Sequence, residues 1–392
     1  RLAVGDFRDL NENTSSMPGQ EPIPSSSTRL IALYLPQFHP IRENDEWWGR
    51  GFTEWTNVSR ASAFFKNHYQ PHLPADLGFC DLRVAETREA QADLAREHAI
   101  EAFCYYHYWF HGRRLLERPF DEVLESGRPA FPFCLCWANE SWSRSWLGDD
   151  KGMLLEQTYS PADDLRHAQW LVRAFADPRY VRVHGRALFL IWRPRNLPEP
   201  RRTTDTLREQ SVRAGLPEPY LVGVDAHCPN FDSRTVGFDD TMDFTPQLGL
   251  LPGAFADRFS IRRLRRNLQL GVPSGQLKIY DYEQAWQAFF AARPAFPHLP
   301  SVVVGWDNTP RRGRLGIILT NATPERFGRA LDQAVDIVRE RHPEERIVFL
   351  NAWNEWAESN HLEPDVRHGR GYLEVVKSIA GRRPARTPHQ LS

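Results

Sequence analysis

The chain has 392 residues, 41% hydrophobic and 25% charged, and its 49 Lys and Arg nearly balance 50 Asp and Glu, for a net charge of −1. That balance excludes a strongly basic nucleic-acid footprint and an acidic solvating tail, and no run approaches the ~18 apolar residues of a membrane span. The five cysteines, Cys80, Cys104, Cys134, Cys136 and Cys228, contain no Cys-x-x-Cys pair, so they read as buried thiols on strands rather than a disulfide framework or a zinc site.

Residues 1–28 read as a flexible polar leader. Asn11 to Thr28 is rich in Ser, Pro, Asn and Glu without apolar periodicity, and it lacks the apolar core of a signal peptide, so the cytoplasm is the expected compartment. Residues 29–381 read as one catalytic domain and 382–392 as a loose tail. Within the domain, short apolar runs give strand candidates at Leu30–Leu35, Ala102–Tyr108, Phe131–Trp137, Ala187–Trp192, Tyr220–Asp225, Met242–Thr245, Ser301–Gly305 and Ile347–Ala352. Most are unbroken β-branched and aromatic stretches, as in a parallel sheet covered on both faces. Helical spacing marks Arg83–Ala99, Pro161–Ala176, Thr203–Ala214, Tyr282–Ala292 and Pro324–Arg341, the last with Thr323 as N-cap and Pro324 at N1. Eight strands alternating with helices predict an α/β fold, a single-domain (β/α)8 TIM-type barrel with long βα loops. A doubly wound sheet is the alternative, but no Gly-x-Gly-x-x-Gly follows any strand.

In such a barrel the active site lies at the C-terminal ends of the strands. Those ends supply Tyr34, His39 and Trp55 after strand one, Tyr106, His107 and Trp109 on strand two, and Trp137, Asn139, Glu140 and Trp142 after strand three. Strands four, five and seven add Trp192, Asp225, Trp306 and Asn308, and strand eight adds Asn354, Glu355 and Glu358. All tryptophans except Trp170 and Trp286 fall on this side. Flat aromatic faces interleaved with Asn, His, Asp and Glu suit a sugar ring, whose C–H face stacks while its hydroxyls take in-plane hydrogen bonds. An oligo- or polysaccharide is the expected partner, with no nucleic acid.

Glu355 and Glu358 stand three residues apart beyond a strand end, so both carboxyls can face one cavity. Two carboxyls held close in a partly dry pocket resist joint ionisation, which pushes one toward the acid role that glycoside hydrolysis requires. Asn139-Glu140 repeats the dipeptide Asn354-Glu355, and a Glu140/Glu355 pair across the mouth is chemically as sensible. His107 and His111 are four apart without a third convergent ligand, so substrate contact or core packing is expected of them; no metal and no cofactor are expected.

Six blocks carry a family likeness: Ala32–Val58 (ALYLPQFHPIRENDEWWGRGFTEWTNV), His68–Arg83, Phe103–Gly112, Leu115–Leu124, Phe131–Trp142 and Trp353–Asp365 (WNEWAESNHLEPD). Together, over about Arg29 to Ala380, they resemble the WbsX family, labelled a glycosyltransferase of lipopolysaccharide and polysaccharide loci. That family is similar in turn to the endo-α-mannosidase and endo-mannanase family of glycoside hydrolases, which is a (β/α)8 barrel. The resemblance implies Glu355 as the base assisting the sugar 2-hydroxyl, Glu358 as general acid/base at the leaving oxygen, and a retaining reaction through a 1,2-anhydro sugar. It also implies a substrate or supporting role for Glu363. Ser359 stands where the pattern has Gly, Ser141 where it has Asn, and His111 where Asn is common; these departures leave both carboxylates in place and bear on substrate contacts.

Three functions compete: a retaining glycoside hydrolase acting on α-linked, mannose-like residues, a glycosyltransferase of polysaccharide biosynthesis, and a non-catalytic glycan-binding barrel. The absence of an Asp-x-Asp metal motif and of a Gly-rich nucleotide loop speaks against a nucleotide-sugar donor site. A mere binding barrel has no need of Glu355 and Glu358.

Overall fold

The computed structural model describes residues 28–143, 152–254, 261–269, 271 and 277–381; the expected leader up to residue 27, the expected tail 382–392 and Trp146 lie outside the described residues. Eight parallel strands close on themselves: β1 (Arg29–Tyr34), β2 (Ala102–Phe110), β3 (Phe133–Trp137), β4 (Arg186–Ile191), β5 (Tyr220–Val224), β6 (Asp240–Asp243), β7 (Leu299–Val303) and β8 (Ile347–Asn351). Each pairs with the next, and β8 returns to β1 through Arg29↔Ile347 to Ala32↔Leu350. The protein is therefore a (β/α)8 barrel. All eight expected strands are present. The sixth starts two residues earlier than its apolar run because Asp240, a charged residue that reads as loop, is buried there between Tyr220 and Arg341.

The helices are α1 (Arg42–Trp48), α2 (Glu54–Arg60), α3 (Ala85–Glu97), α4 (Arg118–Ser126), α5 (Pro161–Phe175), α6 (Pro200–Arg213), α7 (Ile261–Gln269), α8 (Tyr282–Ala291), α9 (Thr309–Arg312), α10 (Pro324–Val338) and α11 (Gly371–Ala380). Thr323 caps α10 as expected, its hydroxyl accepting from Arg326 N at 3.4 Å. Between β5 and β6 a 3-10 turn, Ser233–Val236, takes the place of a helix. It lies so close to the sheet that a Cβ on Gly223 would sit 2.2 Å from Ser233 Oγ. Among the described residues no helix is long and apolar enough to cross a membrane. Two of the five cysteines depart from the expected strand placement. Cys104, Cys134 and Cys136 are buried on strands, but Cys80 and Cys228 lie in loops.

Two insertions shape the mouth. The segment after β6 contributes a short strand, Lys278–Asp281, and the segment after β7 contributes Trp306–Asp307 and Ile317–Thr320. Ile317–Thr320 pairs in parallel with Lys278–Asp281 and antiparallel with Trp306–Asp307. The turn inside this small sheet carries α9, and with it Arg311.

Candidate active site

Beyond β8 the chain makes a tight hairpin. Asn354–Glu355 pairs antiparallel with Asn360–His361, and Trp356–Glu358 forms a 3-10 turn between them. Ser359 ends that turn at φ 51°, the left-handed region that favours the glycine of the family pattern. The Asn354 amide pins the hairpin to β1, accepting from Leu35 N at 2.7 Å and donating to Leu35 O at 3.0 Å. Glu355 and Glu358 are thereby brought to the wall of one cavity of about 300 Å³.

Arg311 stands between them. Its Nη2 donates to Glu355 Oε2 at 3.1 Å, its Nη1 lies 2.6 Å from Glu358 Oε1, and its Nε donates to Glu54 Oε2 at 3.1 Å. Three carboxylates thus share one guanidinium, and all four side chains are at most 18% exposed. Burial, the largest influence, pushes both Glu355 and Glu358 above the ordinary carboxylate range; Arg311 opposes this, and neighbouring carboxylates add to it. Burial also works against the Arg311 charge, but Glu54, Glu358 and Glu355 outweigh it and hold the guanidinium protonated. One cation among three buried acids favours retention of a proton, which is the condition for one carboxyl to serve as acid while its neighbour serves as base.

Glu140, Tyr106, Trp142, Trp192, Trp306 and Asn308 line the same cavity. Glu140 accepts from Trp192 Nε1 at 3.1 Å and pairs with Arg193 Nε at 2.5 Å, while burial raises its carboxyl and Arg193 opposes the rise. Trp192 is held edge-on by Phe244, centroids 4.5 Å apart.

The other expected contacts stand apart from this cavity, mostly through strand alternation. Tyr106 faces inward, whereas His107 stacks on Trp170 of α5 with its Nε2 3.0 Å from His167 Nε2, and Trp109 donates to Asp163 on the same helix. Trp137 is 1% exposed and donates to Trp109 O at 3.3 Å. Asn139 clamps the Arg193 backbone through both its amide atoms. Tyr34 donates to Gln91 from within the core, and Trp55 donates to Cys80 O and packs on Trp356. His39 is buried outside the cavity lining, and burial lowers it to about 4. Asp225 accepts from Phe244 N and Gln247, and burial raises its carboxyl. Glu363 lies behind the hairpin, accepting from Gln91 Nε2 at 2.6 Å and Trp356 Nε1 at 2.5 Å, with its carboxyl pushed up to about 7 by burial.

Arg311 and Glu54 escaped the sequence reading as site residues. Glu54 lies inside a family block, which was a signal. Arg311 sits in Pro310-Arg311-Arg312-Gly313, which reads as a solvated loop. Tyr108, Gln37, Arg193 and Arg312 also line the cavity; Tyr108 was recoverable from the same alternation that selects Tyr106.

A family model described as "Glycosyltransferase WbsX" matches residues 30–376. Two curated relatives, both described as "Uncharacterized protein WxcX" from Xanthomonas campestris pv. campestris, are 40% identical over 95% of this chain (strain B100) and 41% identical over 91% (strain ATCC 33913). The alignments take in 51% and 50% of those proteins, so the chain spans about half the length of the curated relatives it matches. Among solved structures, the GH99 endo-alpha-mannosidase from Bacteroides thetaiotaomicron superposes with a TM-score of 0.51 at 15% identity, over 90% of this chain and 96% of that one. A "Glycoside hydrolase-like protein" gives 0.54 at 14%, over 93% and 97%. At these identities the likeness establishes the shared barrel fold.

Proposed function

The chain belongs to the family described as glycosyltransferase WbsX, and from that premise we propose that it is a carbohydrate-active enzyme, a retaining glycoside hydrolase acting on α-linked, mannose-like residues of a bacterial cell-surface polysaccharide or related glycan. The observation that carries the reading is the pair Glu355, buried, and Glu358, mostly buried, bridged by Arg311 and open to an aromatic-lined cavity. In the proposed first step Glu355 takes the proton of the sugar 2-hydroxyl as that oxygen bonds to C1, while Glu358 gives its proton to the departing glycosidic oxygen. In the second, Glu358 takes a proton from water as the water oxygen attacks C1, and the 2-oxygen regains its proton from Glu355. The glycan closes and reopens a three-membered ring, and both carboxyls end as they began. Trp192, Trp306 and Tyr106 supply stacking faces for the sugars.

A second reading, a glycosyltransferase of polysaccharide biosynthesis, is favoured by the family's description and by Arg193, Arg311 and Arg312 on the cavity wall, which suit an anionic donor. Mass spectrometry of products separates the two. The protein is given α-linked mannose- and rhamnose-containing oligosaccharides, with and without nucleotide sugars. Shortened oligosaccharides support the hydrolase; elongation dependent on a nucleotide sugar refutes it. Glu355→Gln and Glu358→Gln should each lower turnover by about 10²–10⁴ with binding kept. An aryl glycoside with a good leaving group should rescue Glu358→Gln alone, since only that variant lacks the leaving-group acid.

A further inference from the structure

A second cavity, of about 740 Å³, shares Trp306 with the first and is walled by the loop between α2 and α3 and by the chain beyond the hairpin. We propose that His72, His361 and Asp365 on its wall form a binding site for a divalent transition-metal ion of the zinc class. His72 Nδ1 is 2.9 Å from His361 Nε2, and Asp365 Oδ2 is 3.9 Å from the first and 4.0 Å from the second. A triangle with those sides has a circumradius of about 2.1 Å, which is the bond length that zinc makes to imidazole nitrogen and carboxylate oxygen. One ion can therefore sit at bonding distance from all three atoms without movement of the backbone.

The remaining atoms of these side chains are engaged in the manner that orients metal ligands. His361 Nδ1 lies 2.9 Å from Glu363 O; a carbonyl only accepts, so the ring proton is on Nδ1 and Nε2 carries a lone pair. Asp365 Oδ1 accepts from the backbone N–H of Arg367 at 2.8 Å and of His368 at 2.5 Å, so Oδ2 is the oxygen left facing the imidazoles. Stacking fixes both rings, His72 on Tyr69 with centroids 4.0 Å apart and His361 on Trp356 at 3.7 Å. Without the ion, His72 Nδ1–H donates to His361 Nε2; with it, that proton moves to His72 Nε2 and both facing nitrogens become ligands. Among the described residues the ion-pair partners of Asp365 are these two histidines.

The ligands join two segments already stitched by Ala75 N–H to Pro364 O and Val366 N–H to Leu73 O, both at 2.9 Å. His361 is also on the returning strand of the hairpin, paired with Asn354 beside Glu355. The ion thus acts as a clamp on the segment that presents the two carboxylates. Sequence could not reveal it, because His72 and His361 are 289 residues apart.

The test needs no substrate, so its outcome is independent of the proposed reaction. The chain is stripped with EDTA, and Zn²⁺ and Co²⁺ are titrated by calorimetry and by the visible absorption of cobalt. One ion per chain, a raised Tm with Zn²⁺ and cobalt bands of a histidine-ligated site are expected. His72→Ala and the isosteric Asp365→Asn, each checked for folding by circular dichroism, should weaken binding by more than the 10–100-fold typical of losing an outer-shell partner. His184→Ala serves as the control, since His184, His342 and Glu344 form an exposed cluster of similar composition. Absence of stoichiometric binding, binding undiminished in His72→Ala and Asp365→Asn, or binding lost in His184→Ala overturns the proposal.

Discussion

Replacing Arg311 by Met keeps an unbranched apolar stem and removes the one cation that Glu54, Glu355 and Glu358 share. Because all three carboxylates are nearly closed to solvent, water from the cavity replaces the lost partner only in part. Breaking a buried ion pair from one side costs about 3–5 kcal/mol, a large part of the 5–15 kcal/mol that typically holds a domain together. The cost depends on pH with a definite sign. Glu355 and Glu358 are raised above their ordinary range in the folded protein, so the stability they contribute is present at low pH and is lost as pH rises through the raised values. Without Arg311 the rise is larger and that loss is deeper. Urea unfolding of wild type and Arg311→Met should therefore differ by about 3–5 kcal/mol at pH 9, above the value of about 8 to which Glu355 is raised, and by about 1–2 kcal/mol at pH 5, where protonated acids no longer need the cation. A difference below about 1 kcal/mol at pH 9, or one that is the same at both pH values, refutes the view that the guanidinium holds the cluster together.

Trp306→Ala, on the cavity wall, should weaken oligosaccharide binding about 10-fold in calorimetry while leaving urea stability near wild type; Trp137→Ala, wholly inside, should cost about 3–5 kcal/mol of stability. Glu363 is raised to about 7 from an ordinary 4.5 by burial, so its contribution to stability is full below the ordinary range and is lost as pH rises through 7. Glu363→Gln should remove about 3 kcal/mol of the fall in stability between pH 5 and 8, and an unchanged slope would refute this. Gly223→Ala should destabilise by about 1–3 kcal/mol or more, since its Cβ would meet Ser233 Oγ at 2.2 Å and Pro194 Cγ at 2.6 Å; a neutral result in urea unfolding would mean the turn can retreat.

The barrel was legible because each strand is a compact apolar run with helical spacing between runs, and such patterns are local. The site was legible only in part. The hairpin with Glu355 and Glu358 declares itself within a few residues, as does Trp306-Asp307-Asn308. The count of mouth tryptophans misled, because position after a strand says nothing about which side of the pleat a ring takes; Trp137 and Trp109 point toward α5 while Trp142 and Trp192 reach the cavity. Arg311 lies 257 residues from Glu54 and 44 from Glu355, and nothing local distinguishes it from a surface arginine. What selects it is the pairing of two insertions, a long-range event.

That pairing has a consequence for how such a mouth can vary. In the small sheet, Trp306 opposes Leu319 and Asp307 opposes Ile318. Trp306 lines the first cavity, while Asp307 accepts from His68 and Gln70. A slip of one residue would exchange the two faces, presenting a carboxylate to the first cavity in place of the Trp306 indole and an indole to His68 in place of the Asp307 carboxylate. The floor of carboxylates on the hairpin beyond β8 and the roof on the insertions are thus separable parts, but the roof itself moves in whole steps. Insertions of even length preserve its pattern, and those of odd length invert it. The two insertions are therefore best exchanged together, as one cassette.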